Sequence, residues 1–463
     1  MNTGGNIPRL VISGTNSGVG KTSLTLGLVA ALKRRGLRVQ TFKVGPDYLD
    51  PTYLALASGR PCYNLDGWMT GEAYVSELFA RVCADADVAV IEGVMGLYDG
   101  ADPATLEGST AEVALWLGAP VALVANAHGA GRSFAATVHG FATFVPGIRV
   151  AGVIANRCGS ERHAAVLEES LKCAALPPLL GAVRRGAVPE LPSRHLGLVT
   201  ADATRCSQGV LDQLADAVES AVSLDAVLQT ARSAQPLSQN DGTSAACAAS
   251  GEVRLGIARD EAFHFYYPDN LEALERAGCS LVPFSPLRDT VLPPGIDGIY
   301  IGGGYPEEYA AALAANTGML EAISCFAAND GVIYAECGGL MYLSQGIETL
   351  DGSRHPLVGL LGSWTRMCPR RQSLGYVEVT LTRDCPLGCA GERLRGHEFH
   401  YSELMSLPED CTTAYELRYR RSEQPATEGF QRGSVLASYV HLHFASHPRA
   451  VKSIVRSLKS RIP

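Results

Sequence analysis

Leu10-Val11-Ile12-Ser13-Gly14-Thr15-Asn16-Ser17-Gly18-Val19-Gly20-Lys21-Thr22 is the stretch that decides the fold of this chain. Its apolar start reads as a strand, and Ser23 to Lys33 beyond it is helix-compatible. Strand, glycine-rich turn and helix is the layout of a phosphate-binding loop. The glycines let backbone N–H groups of Asn16, Ser17, Gly18, Val19 and Gly20 approach phosphate oxygens, and the helix start adds partial positive charge. Lys21 supplies a full positive charge for the β- and γ-phosphates of ATP, and the Thr22 hydroxyl can ligate Mg²⁺. The strict spacing G-x-x-x-x-G-K-[ST] needs glycine at position 15, where Thr15 stands with Gly14 one place early. The loop is a variant, recognised by its strand–helix setting.

Composition bounds the rest. A chain of 463 residues is long enough for about two or three domains. Hydrophobic residues make up 46% and charged residues 19%, which suits large cores rather than disorder. A net charge of −8 argues against holding nucleic acid by overall charge. No apolar run reaches membrane-spanning length. Met1 to Asn6 lacks a basic flank with an apolar core, so no secretory signal is expected. The 13 cysteines are odd in number and follow no disulfide rhythm, which fits reduced thiols and a cytoplasmic protein. Cys385 and Cys389 have no second pair at finger spacing, so no zinc site is expected.

Arg38 to Lys43 reads as the second strand and runs into Gly45-Pro46-Asp47-Tyr48-Leu49-Asp50-Pro51. Acids at the end of a strand lie where open α/β sheets place their ligands; Pro and Asp also favour plain surface turns. Asp87 to Gly93 is a buried-strand pattern ending in Glu92, which resembles the Mg²⁺-positioning acid of NTPases. Strand signals follow at Pro120 to Ala125, Val150 to Ala155 and Leu179 to Val183, with helix-length segments at Ser133 to Phe144 and Ser160 to Cys173 between them. The alternation predicts a doubly wound parallel α/β sheet over residues 1–228. Residues 229–251 are small and polar and read as a linker, leaving 252–463 as a second α/β domain.

In that domain, strands are expected at Val253 to Ala258, Ile296 to Ile301 and Gly331 to Ala335, and a helix at Asn270 to Ala277. The last strand meets Glu336-Cys337-Gly338-Gly339. A sharp strand-to-helix turn lifts a nucleophile clear of the sheet and aims backbone N–H groups at the reacting oxygen. The helix start is expected to favour the Cys337 thiolate. Gly338 and the Gly302-Gly303-Gly304 turn are the candidate oxyanion donors, Gly304 among them. A cysteine nucleophile needs a base; His441 and His443 share one face of a strand signal at Ser438 to Phe444.

Together these constellations resemble the cobyrinate a,c-diamide synthase family, over nearly the whole chain. The resemblance rests on residues 13–22, Lys43 to Pro51, Glu92 to Gly100, Tyr300 to Glu307, Ala335 to Gly339, and Leu394-Arg395-Gly396-His397-Glu398-Phe399-His400-Tyr401-Ser402. It implies a dethiobiotin-synthetase-like ATPase domain followed by a class I glutamine amidotransferase domain. It also implies amidation of the c and a carboxylates of a corrin with ammonia from glutamine, through a phosphorylated carboxylate. By the resemblance, Cys337 is the nucleophile and His441 its base. Lys21 and Thr22 serve phosphate and Mg²⁺, and Asp47 and Glu92 hold Mg²⁺ or order the acyl-phosphate step. Tyr48, Leu49 and Asp50 position substrate, and Asn156 reads adenine. The partners implied are a corrin, ATP and L-glutamine, without nucleic acid or membrane, and with room for a homodimer. Class I amidotransferases carry glutamate two residues after the histidine; here that place holds His443, which leaves the third member of the site open. Cobyric acid synthase and the enzymes acting on hydrogenobyrinate or nickel-sirohydrochlorin share these features, although Pro46 to Pro51 and the His-x-His-Phe ending favour the a,c-diamide enzyme. A ParA-like switch with a degenerate amidotransferase sensor is the non-enzymatic alternative, against which Cys337 and His441 argue.

Overall fold

The computed structural model describes residues 7–189, 193–194, 197–198, 208–237, 253–407, 409–420 and 424–459. The chain divides into two compact units, residues 1–243 and 244–463.

In the first unit, β1 (Arg9–Gly14), β2 (Val39–Val44), β3 (Tyr63–Leu65), β4 (Val88–Glu92), β5 (Val121–Asn126), β6 (Val150–Cys158) and β7 (Leu179–Arg184) form one sheet. Their order is β3-β2-β4-β1-β5-β6-β7, and every neighbouring pair is parallel. All residues of β1, β2 and β4 are buried, as a sheet covered by helices on both faces requires. Alternate side chains feed two cores: Leu10, Ile12 and Val90 on one face, Val11, Ala89 and Ile91 on the other. Because β4 lies beside β1, the loop after Gly14 and the carboxylate of Glu92 emerge side by side, with Ile12 opposite Glu92 in register. The phosphate-loop helix, α1, spans Lys21–Arg34.

The sequence placed a linker from residue 229. Residues 229–232 are instead the end of a helix, Leu224–Arg232, with Ala231 and Ala234 buried. Gln235 N–H donates to the Gly118 carbonyl at 3.1 Å, and the Arg9 guanidinium donates to the Gln235 carbonyl. These contacts anchor a stretch whose small, polar composition alone reads as loose. Residues 238–251 of the expected linker lie outside the described residues.

The second unit is built on a ten-stranded mixed sheet. Cys279–Phe284, Val253–Ala258, Gly298–Ile301, Val332–Glu336 and Val435–Ser438 lie parallel in that spatial order. Ala426–Arg432, Thr412–Tyr419, Ser373–Leu381, Arg393–His400 and His441–Leu442 continue it antiparallel. The single strand expected at Ser438 to Phe444 is two pieces. Buried Glu428 accepts the Ser438 hydroxyl at 2.5 Å and the Tyr439 N–H at 2.8 Å, which breaks the first piece. His441–Leu442 then pairs with the opposite edge, at Arg393–His400. The helix expected from Asn270 starts at Pro268, since proline suits a first helical turn.

Candidate functional site

The turn after β1 reaches α1 through Gly20, whose φ of 101° is left-handed. A Cβ there would also lie 2.3 Å from Asn156 Nδ2, so only glycine fits. Asn156, at the tip of β6, donates to the Val19 carbonyl at 2.8 Å and accepts the Arg157 N–H at 2.8 Å. Arg157 in turn donates to the Gly18 carbonyl at 3.1 Å. The amide that the sequence assigned to adenine is thus engaged in pinning the phosphate loop. The Lys21 ammonium donates to the Asn16 carbonyl at 3.2 Å and to the Met95 carbonyl. This curls the lysine over the loop and ties it to the segment after Glu92.

Behind Lys21 lies an acidic cluster with one cation inside it. Thr22 donates its hydroxyl to Glu92 at 2.6 Å. Lys43, at the end of β2, sits 2.5 Å from Asp50, 3.0 Å from Glu92 and 3.8 Å from Asp47. Asp47 accepts the Leu49 and Asp50 N–H groups at 2.8 and 3.2 Å, which holds Tyr48 at the start of the helix Leu49–Ser58. Burial alone would strip Lys43 of its proton, but the charges of Asp50, Glu92 and Asp47 outweigh it and hold the ammonium. Burial pushes Glu92 up to about 7 against the pull of Lys43. Asp50, also buried, is held below its ordinary range by the same lysine. Sequence reading gave Lys43 no role; the available signal was a lysine in a strand with every residue buried.

The donor set fits Mg²⁺. Glu92 Oε2 is buried without a hydrogen-bond partner, and three carboxylates with a hydroxyl are the hard oxygen ligands this ion takes. Among the described residues no three His, Cys, Asp or Glu side chains converge as a closed cage. Mg²⁺ usually takes only one or two carboxylates beside phosphate oxygens.

In the second unit, Cys337 occupies the turn between the strand Val332–Glu336 and the short helix Gly338–Leu343. Its backbone is left-handed, with φ 49° and ψ −102°, a strained conformation for a residue with a Cβ. Its N–H donates to the Ser438 carbonyl at 2.7 Å, and its sulfur lies 4.0 Å from the Phe399 carbonyl. A Cβ on Gly338 would fall 3.0 Å from the Gly304 nitrogen, so the two glycines named as oxyanion donors lie side by side next to the cysteine. The expected thiolate does not follow. Burial and the charge of Glu307 push the Cys337 thiol up, and the Gly338 N–H offsets only part of that; a base must take the proton.

His441 is buried and packs on Gly303, where a Cβ would meet its Cε1 at 2.5 Å. Its ring stacks on His397 at 5.0 Å between centroids. Burial, then His397 and His400, hold His441 neutral, well below its ordinary range, which is the form a proton acceptor needs. The Tyr267 hydroxyl lies 3.0 Å from His397 Nδ1, and the Tyr267 ring packs 4.7 Å from His443. His443 Nε2 lies 3.2 Å from the Asp269 carboxylate, both fully buried. Sequence reading missed Asp269, Asn270 and Glu336, which are distant in the chain or adjacent to a more conspicuous residue.

Fold and sites together define a nucleotide-binding unit joined to a glutamine amidotransferase. Residues 10–199 match the CobQ/CobB/MinD/ParA nucleotide binding domain, and residues 254–449 match the CobB/CobQ-like glutamine amidotransferase domain. The chain is 58% identical to a cobyrinate a,c-diamide synthase of Syntrophotalea carbinolica, over 97% of this chain and 98% of that one. It is 42% identical to the cobyrinate a,c-diamide synthase of Salmonella typhimurium, over 96% of each. A solved structure of PurLQS from Thermotoga maritima aligns with 46% of this chain and 99% of its own, at 16% identity and a TM-score of 0.34. The chain belongs to the cobyrinate a,c-diamide synthase family.

Proposed function

We propose that this enzyme converts the c and a carboxylates of cobyrinate to amides, using ATP and the amide nitrogen of glutamine. The observation that carries this reading is the pairing, in one chain, of a Lys21 loop at the start of a helix with a strained Cys337 turn beside Gly338 and Gly304. The 58% identity to a synthase of that name supports the substrate.

In the second unit, Cys337 Sγ bonds to the glutamine side-chain carbonyl carbon while His441 takes the thiol proton. The Gly338 and Gly304 N–H groups receive the negative oxygen. His441 returns the proton to the departing nitrogen, which leaves as ammonia, and water then cleaves the thioester to glutamate. In the first unit, Lys21 and the loop amides of residues 16–20 hold the triphosphate. The γ-phosphoryl group passes to a ring carboxylate, and ammonia bonds to that carbon as phosphate leaves. A bare carboxylate resists amines because its departing oxygen is too basic; phosphate is the better leaving group. Thr22, Glu92 and Asp47 would hold Mg²⁺, which supplies neutralising charge on the phosphate oxygens. Tyr48, Leu49 and Asp50, at the start of the helix Leu49–Ser58, position the corrin. The enzyme works in the cytoplasm.

The test is mass spectrometry of products with cobyrinate, hydrogenobyrinate and nickel-sirohydrochlorin offered in turn. Two added amides on cobyrinate are expected; two on another tetrapyrrole would reassign the substrate. Cys337→Ala is expected to abolish use of glutamine and to spare amidation driven by ammonium salts. Loss of both would overturn the division of labour.

A further inference from the structure

We infer that Glu336 and Asn270 are positioning residues for His441, acting through the backbone of Leu442. The inference rests on the reading of Cys337 and His441 as the glutamine-cleaving pair.

His441–Leu442 is a two-residue strand at the edge of the ten-stranded sheet. One side is engaged by Arg393–His400, where the His443 N–H donates to the Arg395 carbonyl at 3.1 Å. Backbone groups alternate in direction along a strand, so the N–H and C=O of Leu442 point away from the sheet. At an open edge they would turn to water or to a neighbouring chain. Here Glu336 Oε1 accepts the Leu442 N–H at 3.0 Å, and Asn270 Nδ2 donates to the Leu442 carbonyl at 2.9 Å. Asn270 Oδ1 also accepts the Phe444 N–H at 2.8 Å. One side-chain amide thereby takes the place of a neighbouring strand.

Glu336 is itself fixed. Its Oε1 accepts the Tyr334 hydroxyl at 2.6 Å and its Oε2 the Tyr300 hydroxyl at 2.8 Å. Glu336 is 1% exposed and Asn270 2%, so these bonds are not shared with bulk water. Glu336 directly precedes Cys337, so it ties the base's backbone to the nucleophile's own strand. A two-residue strand paired on one side has few ladder bonds to hold its backbone, and the clamp on Leu442 adds to them. The ring's own contacts, on Gly303 and His397, fix its plane; the clamp on Leu442 fixes the backbone from which it projects.

The test uses the full-length chain with Glu336→Ala, Asn270→Ala, the double variant and Glu336→Gln, each checked for folding by circular dichroism and limited proteolysis. Glutamate release from glutamine is measured with ATP and cobyrinate present. Each alanine variant is expected to lower kcat for glutamine about 100-fold, the scale of a misplaced catalytic group, with KM little changed. The double variant is expected to match the worse single, because both act on one dipeptide. Glu336→Gln retains an oxygen for the Leu442 N–H and is expected to restore most of the rate. Wild-type kcat in a folded Asn270→Ala, or losses that multiply in the double variant, would overturn the inference. If Glu336→Ala does not fold, Asn270→Ala and Glu336→Gln decide it. Cys337→Ala and His441→Ala run alongside: glutamine cleavage surviving in them would mean the underlying reading had failed.

Discussion

A single methyl group at position 303 would meet His441 Cε1 at 2.5 Å. Gly303→Ala therefore forces the imidazole out of its present position. The expected result is a loss of about 100-fold in glutamine-dependent kcat, with ammonium-driven amidation unchanged; equal rates from both nitrogen sources would show that the ring is not held by this contact. At this scale the sharp turn at Cys337 was legible in the sequence, because a strand–Cys–Gly–Gly pattern announces it. Lys43 was not. A strand lysine ordinarily reads as a solvated edge, and only the tertiary arrangement shows it enclosed by Asp50 and Glu92. The thiol's protonation was misjudged for a related reason: a helix start is local, whereas burial is a property of the whole surround.

The phosphate loop is held less by its own turn than by the end of β6. Asn156 and Arg157 take the carbonyls of Val19 and Gly18. Asn156→Ala removes one such bond and is expected to raise the KM for ATP about tenfold, the scale of one lost hydrogen bond in a buried setting. Kinetics at varied ATP check it, and an unchanged KM with altered base selectivity would return Asn156 to the adenine role. The central parallel strands of both units were legible as apolar runs, since strands buried on both faces carry no competing polar pattern; Tyr63–Leu65, Cys279–Phe284 and Val435–Ser438 were not. The antiparallel half of the second sheet was not. Ser373–Leu381, Arg393–His400 and Thr412–Tyr419 mix buried and exposed positions, and their pairing depends on partners far along the chain. The break between Ser438 and His441 was hidden because Glu428, which causes it, lies ten residues before Ser438.

Across the molecule, buried carboxyls shape the response to pH. Burial pushes Glu428 up to about 8 and Glu336 up to about 7. A carboxyl whose folded pKa is raised binds its proton more tightly in the folded state. Its contribution is full below the unfolded value near 4.5 and is lost as pH rises through the folded value. Stability should therefore fall between about pH 5 and 8, by up to ~1.4 kcal/mol per pH unit for each such proton. Glu428→Gln should flatten that slope, most clearly between pH 7 and 8. Urea midpoints across this range check it; identical slopes in both proteins would refute the assignment.

The conformation of Cys337 has a consequence in evolutionary terms. A backbone at φ 49° and ψ −102° suits glycine and is a burden for any other residue. The core packing of its side chain is a small return for that strain. A lineage that took its nitrogen from free ammonia would drift toward glycine at this position and become more stable for it. On the proposed reading, cysteine in this place is a cost to the fold that the use of its sulfur offsets.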